Sequence, residues 1–521
     1  MDEPSALGYS HLPMDVVLEV LSYLTISKPS SEKFGLFGYK NWDVNRSIVF
    51  LFDHFDWKGD AFEEYETRAI FVNAVSIVVN QVSITDACCR CLRRNRLIEK
   101  FNYNGGLKFY NENLCSALSE CHTLRKVKLR TVFDTSFKYL FGLPNLQSLN
   151  IYTGFQAVPP EEFTFGFVQE LKESKLKVLV LTSGEGFTDE HLLFNLFQLP
   201  NLKILYLENQ KITKETVEKV NHTTIKNLIL ERCSMFSDQG AEALSKLHAP
   251  NLSILKLSSC MIRTQGLKKL FNVFNADFLN QLEYLEMSKN QNMKDGAFSK
   301  LAGFTFERIL TVDLNHCCGL TDTGIMALTF SIFNTVEVLK LKECNLTFSS
   351  FALIGRKCKN LQRLDISMNN ISFPETIEEH EDDTLSYDEE YFLNLETLKL
   401  SDNKITDIEW LIDRIPHKID QLNLSGNHLK ETQLDKLLRK CEVNYLGLER
   451  CMLTDSFIMN GCLTHESSGV TIKSLRINDN DVTDEAVKKL LSVQKLDKLF
   501  LSGNKQLTKE TLQRFYPIHM Q

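Results

Sequence analysis

Cysteine is the residue type whose number and spacing in this 521-residue chain could support chemistry, with fourteen present. Cys88 and Cys91 form a Cys-x-x-Cys pair in ITDACCRCLRR, and Cys115, Cys121 and His122 follow. A structural zinc site needs four well-placed ligands. The pair instead falls in the helical half of a sequence unit, where a free cysteine is an ordinary buried residue. His465 and Glu466 begin a His-Glu pair that continues Ser-Ser-Gly, without the second histidine of a zinc-protease helix. GEGFTD from Gly184 lacks the spacing and the lysine of a phosphate loop. No Gly-x-Ser-x-Gly nucleophile elbow is present. The chain is therefore expected not to be an enzyme, with no catalytic residue, cofactor or metal site.

The elements that would position any functional side chain repeat along the chain. The phrase L-x-x-L-x-L-x-x-(N/C)-x-L recurs about every 26 residues, from VNAVSIVVNQV to LDKLFLSGNKQL, which is the signature of a leucine-rich repeat. Its third leucine-type position is read at residues 77, 103, 129, 151, 181, 207, 230, 257, 287, 314, 341, 366, 400, 424, 448, 477 and 501, so about 17 repeats fill residues 69–521. Segments such as LKILYL and LQRLDI alternate inward aliphatic residues with variable outward ones, as half-buried strands do. Between them, LTDTGIMAL and VTDEAVKKLL read as helix starts, with threonine as the N-cap and an acidic residue at the positive end of the helix. Neither element can bury its apolar face alone, so the core exists only where neighbours stack. The expected fold class is an α/β leucine-rich-repeat solenoid. Helices are wider than strands, so the array should curve into a horseshoe with parallel strands on the concave face.

Most cysteines then acquire structural places. Cys233, Cys260, Cys317, Cys344 and Cys451 occupy the ninth position of the phrase, where Asn290, Asn369, Asn403, Asn427, Asn480 and Asn504 stand in other units. Asparagine there can bond backbone groups that the bend at the strand end leaves unpaired, and cysteine is a small substitute with a weak donor. Cys121, Cys358 and Cys441 lie just before the next strand. Reduced thiols fit a chain whose start, MDEPSALGYS, has no signal-peptide pattern. The sequons beginning at Asn45, Asn221, Asn251, Asn345, Asn370 and Asn423 are read as chance occurrences. The longest apolar run, Ala69 to Val79, is too short to span a bilayer. A cytoplasmic location, with a nuclear one open, is expected. With 59 basic against 67 acidic residues the formal charge is −8, which argues against nucleic-acid or membrane attraction.

Function is then sought on surfaces. The outward strand residue at the fifth position runs Lys128, Asn150, Val180, Tyr206, Ile229, Lys256, Glu286, Asp313, Lys340, Asp365, Lys399, Asn423, Gly447, Arg476 and Phe500. Val180, Tyr206 and Ile229 are adjacent and apolar where polar residues are the rule, and such anchors carry interface energy; a covering loop such as SGEGF is the other reading. Beyond them Lys256, Glu286 and Asp313 begin an alternation of sign that suits a specific protein surface. These six are the candidate partner-binding residues of the concave face. An insertion at 374–391 carries nine acidic residues between Glu375 and Glu390, read as a solvated loop or as a partner contact with Thr384 and Ser386 as phosphoacceptors. A second stretched interval holds NGCLTHESSG.

The stretch NHCCGLTDTGIMALTFSIFNTVEVLKLKECNLT, with Cys317, Thr321, Asp322, Gly324 and Cys344, resembles the cysteine-containing class of leucine-rich repeats. The likeness extends over roughly residues 200 to 510 and implies kinship with F-box proteins, whose helical head docks on the adaptor of a cullin-RING ubiquitin ligase while the repeats hold a substrate. Residues 1–68 are read as a small helical head, formed by HLPMDVVLEVLSYLTI and a second helix or helix pair at NRSIVFLFDHFDW. Its opening LPMDVVLEVLSYL is similar to an F-box start, which implies Leu12, Pro13, Val16, Val20, Leu21 and Leu24 as the adaptor-facing set. The inserted SKPSSEKFGLFGYKNW departs from the F-box pattern. The head is alternatively a plain cap over the first repeat, which every solenoid needs, and the chain a scaffold without a ligase. A GTPase-activating repeat protein is a third reading, for which no arginine motif is found.

Overall fold

The computed structural model describes residues 47–51, 75–80, 84, 86–104, 113–131, 138–153, 174–182, 199–218, 224–246, 249–271, 279–301, 304–374, 391–465 and 470–515. They fall in two compact units, Met1–Ser234 with Leu247–Ala249, and Met235–Lys246 with Pro250–Gln521. Leu12, Pro13, Val16, Val20, Leu21 and Leu24, and the acidic residues 375–390, lie outside the described residues.

In the first unit the described strands are β1 (Ser47–Leu51), β2 (Ser76–Asn80), β3 (Lys100–Asn104), β4 (Lys126–Thr131), β5 (Ser148–Thr153), β6 (Val178–Thr182), β7 (Ile204–Glu208) and β8 (Asn227–Glu231). Each pairs in parallel with the next in chain order. Ile77, Phe101, Val127, Leu149, Leu179, Leu205 and Leu228 form one inward row, all buried, because side chains two apart share a face of a strand. The second unit repeats this design, with ten parallel strands among its described residues, from Ile254–Ser258 to Lys498–Phe500. Most of these are three residues long, and helices return the chain between them. The helix Asp322–Ile332 buries Ile325, Leu328 and Ile332, and Asp484–Val493 buries Ala486, Val487 and Leu490, each on one face at helical spacing.

Two expectations are corrected. Ser47–Leu51, read as part of a second helix of the head, is strand β1 and pairs in register with β2, Ile48 opposite Ile77. A short run of β-branched and aromatic residues cannot be told from a buried helix by periodicity alone, and the free edge of β2 decides it. In the first repeat, residue 77 aligns with Phe101, so the partner of Tyr103 is Val79. The reading was displaced by two positions, a shift that keeps every side chain on its own face and so leaves the pattern intact.

The ninth position holds the stack together. Asn403 Oδ1 accepts from the amides of Asn369 and Ile371 in the preceding repeat, at 3.1 Å each, and its Nδ2 donates to the carbonyls of Ile366 (3.1 Å) and Leu400 (2.9 Å). Asn369, Asn427 and Asn504 repeat the pattern. The cysteines do half of it: the Sγ of Cys317, Cys344 and Cys451 donates to the preceding repeat's Met287, Leu314 and Leu424 carbonyls at 3.3, 3.1 and 3.4 Å.

The threonine at the helix start makes a different bond from the one its position suggests. Thr321 has no side-chain cap bond; its amide and hydroxyl both donate to Asp295 of the preceding repeat, at 2.7 and 2.6 Å. Thr483 does the same with Asp455. The acidic residue in the first turn of one helix thus grips the next repeat's helix entry. Thr347 and Thr454 also cap their own helices.

An aromatic cluster closes the ends of the acidic insertion. Phe373 before it stacks on Trp410 at 5.8 Å, and Phe392 after it lies 5.0 Å from Phe351. Arg414 covers the Trp410 ring at 4.9 Å. Gly355 is required here, since a Cβ would come within 2.5 Å of Phe392 Cζ.

Asn403→Ala leaves the buried amides of Asn369 and Ile371 without their acceptor, while the Ile366 and Leu400 carbonyls keep the Nδ2 groups of Asn369 and Asn427, and the expected loss is about 3 kcal/mol, read by urea unfolding together with faster hydrogen exchange at Asn369 and Ile371. Cys344→Ala, which removes one weak donor, should cost less than half of that. Gly355→Ala should destabilise by about 1–3 kcal/mol, because overpacking against a ring held on all sides outweighs the helix-propensity gain of about 1 kcal/mol; a higher urea midpoint would contradict this.

Candidate partner-binding face

In the first unit Val180, Tyr206 and Ile229 are register neighbours on β6, β7 and β8, so the stripe is real as a row. Their exposure differs from expectation. Val180 is only 8% exposed, and Tyr206 and Ile229 are half-buried. Val180 is a short side chain in a row of strands about 4.8 Å apart, between Asn150 and Tyr206, and cannot stand clear of them. It is thus the floor of the patch rather than an anchor on it.

Two acidic residues that the sequence reading passed over complete this patch. The Tyr206 hydroxyl lies 3.1 Å from carboxylate oxygens of both Glu208 and Glu231, which are themselves register neighbours. One phenolic proton can serve only one of them at a time. Burial, then the charges of Glu231 and Glu208, push the Tyr206 pKa well above the ordinary phenol value, so it stays a hydroxyl and a donor. Arg232 pairs with Glu208 at 2.9 Å. The signal was present as an acidic residue directly after the third leucine in ILYLEN and LILERC. The patch therefore offers half-buried Tyr206 and Ile229 beside two carboxylates, an amphipathic arrangement able to seat an apolar side chain next to a donor group.

The second unit disposes of its stripe differently. Lys256 pairs with Glu286 at 3.1 Å and lies over the Tyr284 ring at 4.6 Å. Glu286 also accepts from the hydroxyls of Ser258 (2.7 Å) and Ser288 (3.1 Å). Burial raises its pKa, but these bonds and the Lys256 charge outweigh it and hold the carboxyl below the ordinary range. Asp313 is buried, accepts from the amide of Asn315, and pairs with Lys340 at 3.0 Å. Lys399 reaches Asp365 at 3.7 Å, and Arg476 lies over the Phe500 ring at 4.3 Å. The opposite charges of this row pair within the face, Lys256 with Glu286 and Asp313 with Lys340.

The thiols are structural. Cys89, Cys91, Cys115 and Cys121 are buried, and Cys121 Sγ donates to the Leu92 carbonyl at 3.1 Å. Burial pushes the thiols of Cys121, Cys344 and Cys358 up to about 12, far from a reactive thiolate. Cys318 alone is exposed among the described cysteines. Among the described residues no group of three or more His, Cys, Asp or Glu side chains could hold a metal ion, and no helix is long and apolar enough to cross a membrane.

Four stretches, residues 309–328, 357–372, 393–408 and 470–491, match the family described as Leucine Rich repeat. Among solved structures, the chain is similar to one from the Rad7 and Elc1 complex of yeast, at 17% identity over 61% of this chain and 74% of that one, with a TM-score of 0.40. It is also similar to one from a TLR13–ssRNA13 complex (16%, 82% and 78%, TM-score 0.43). A leucine-rich-repeat protein of Leptospira interrogans gives 16%, 84% and 97%, with a TM-score of 0.42. The repeated parallel strands, their returning helices and the four matched stretches make this chain an α/β leucine-rich-repeat solenoid.

Proposed function

We propose that the chain is a non-enzymatic protein-recognition module that holds a protein partner against the outward strand face of its first unit, with Tyr206 as the anchor. The observation that carries this is the half-buried Tyr206–Ile229 patch bordered by Glu208 and Glu231. It lies on paired strands that need no ordering on binding, so little conformational entropy is lost there. Val180 supports it from below. Lys256, Glu286 and Asp313 are assigned a stabilising role in their own unit, since their charges are already answered. The thirteen cysteines whose side chains are described are free, which suits a reducing compartment, cytoplasmic or nuclear.

The finer reading is a substrate-recognition subunit of a cullin-RING ubiquitin ligase, whose adaptor would contact Leu12, Pro13, Val16, Val20, Leu21 and Leu24. The support for it is the LPMDVVLEVLSYL opening and the cysteine-bearing repeats. A second reading, a scaffold whose head only caps the repeats, is favoured by β1, because a strand from residues 1–68 that covers the edge of β2 does the work of a cap.

Tyr206→Ala should weaken capture of a protein partner by about 2 kcal/mol, roughly thirtyfold, with the thermal midpoint nearly unchanged; a large fall in midpoint would assign Tyr206 to the core instead. The ligase reading expects the full-length chain to retain the adaptor in a pull-down and to lose it in the Leu21→Asp, Leu24→Asp double variant. Equal retention, or none by either protein, would leave the scaffold reading standing.

A further inference from the structure

Strands β3 and β4 place four cations on the outward face of the first unit: Lys100 on one, and Lys126, Lys128 and Arg130 on the other. Lys100 and Lys126 are register partners, so like charges stand directly opposite at the spacing of adjacent strands, an arrangement that costs stability. All four side chains are exposed, and none pairs with a carboxylate among the described residues, although Lys128 lies over the Tyr152 ring at 5.3 Å. The neighbouring Arg125–Glu99 pair, at 3.6 Å, uses other positions. The second unit, by contrast, answers its stripe charges within the face.

Around the lysines lies a shallow depression of about 270 Å³, lined on its polar side by Ser76, Asn102, Ser148 and Asn150. Asn102 stands between Val78 and Lys128 in the register. Its Oδ1 is buried and has no hydrogen-bond partner, an arrangement that is costly unless something donates to it. Cations without a carboxylate partner, beside an unpaired acceptor, are complementary to a ligand that carries negative charge and also N–H donors.

We propose that this depression binds an extended acidic segment of a protein partner, with carboxylates against Lys100, Lys126 and Lys128 and an N–H donated to Asn102 Oδ1. A peptide supplies carboxylates and N–H groups in alternation, whereas the phosphates of a nucleic acid supply acceptors alone. The net charge of −8 also opposes general adhesion to nucleic acid. The site lies on other strands than Tyr206 and stands without the proposal made for that residue.

The test uses the full-length chain and fluorescence anisotropy with three labelled probes: a peptide alternating Glu and Ala, its Gln counterpart, and an oligouridylate. The Glu peptide should bind at least about tenfold more tightly than the Gln peptide, with an affinity that falls as salt is added. Lys100→Glu with Lys126→Glu should lower that affinity by at least about tenfold, and Tyr206→Ala should leave it unchanged. Asn102→Leu should weaken binding without altering the salt dependence. Equal binding of the Glu and Gln peptides, tighter binding of the oligouridylate, or full affinity in the charge-reversed variant would each overturn the proposal. Should the reversed variant fail to fold, Lys100→Gln with Lys126→Gln gives the same comparison with a smaller drop.

Discussion

Everything in this protein rests on how the backbone is satisfied where each strand ends. A parallel strand that turns sharply toward a helix leaves amides and carbonyls pointing into an apolar interior, where an unpaired group is costly. The ninth-position asparagine meets that demand by accepting from two amides of the preceding repeat and donating to carbonyls of both repeats, as Asn403 does. Because each asparagine is spent on its neighbour, no repeat is complete alone. The aspartate that holds the next repeat's threonine, as Asp295 holds Thr321, ties the helical side together by the same logic. Stability is thereby a property of adjacent pairs, as the one-dimensional character of repeat proteins requires.

That requirement leaves the outward strand positions free, and the two units use the freedom differently. In the second, Lys256–Glu286 and Asp313–Lys340 close on themselves. The first keeps an amphipathic patch at Tyr206 and, at Lys100, Lys126 and Lys128, lysines without a carboxylate partner among the described residues. Surface charges that find partners within their own face contribute modestly to stability and offer little to a ligand. Those left unanswered are where recognition has something to gain.

The repeating part of the fold was largely legible because its signals are local and redundant. An inward aliphatic residue at every second position, a small polar residue where the strand ends, and an acidic residue at the helix entry recur in unit after unit. The ninth-position residues took the inward places read for them, with Cys344 and Asn369 both bonded across repeats. The errors came where one unit had to be judged without its neighbours. Ser47–Leu51 carries too few residues to show a period, and only its pairing with β2 made it a strand. Residue 77 was aligned two positions early, an error that alternation cannot reveal. Thr321 stands at the N-cap position read for it, but its hydroxyl bonds Asp295 instead of its own helix, because residue type reports the position of a helix start, not the partner chosen there.

By itself the sequence determined the α/β repeat architecture, the buried place of the ninth-position cysteines, and which residues lie on the outward face. These follow from periodicity, which is a property of the chain taken a few residues at a time. Only the tertiary structure decided what the outward residues do. Val180 is a floor because Asn150 and Tyr206 flank it, Tyr206 is held by Glu208 and Glu231, and Lys256 is answered by Glu286 while Lys100 faces Lys126. Exposure and charge balance are set by side chains about 25 residues away in sequence and one strand away in space, at about 4.8 Å. Stacking, and not spacing along the chain, brings those pairs together.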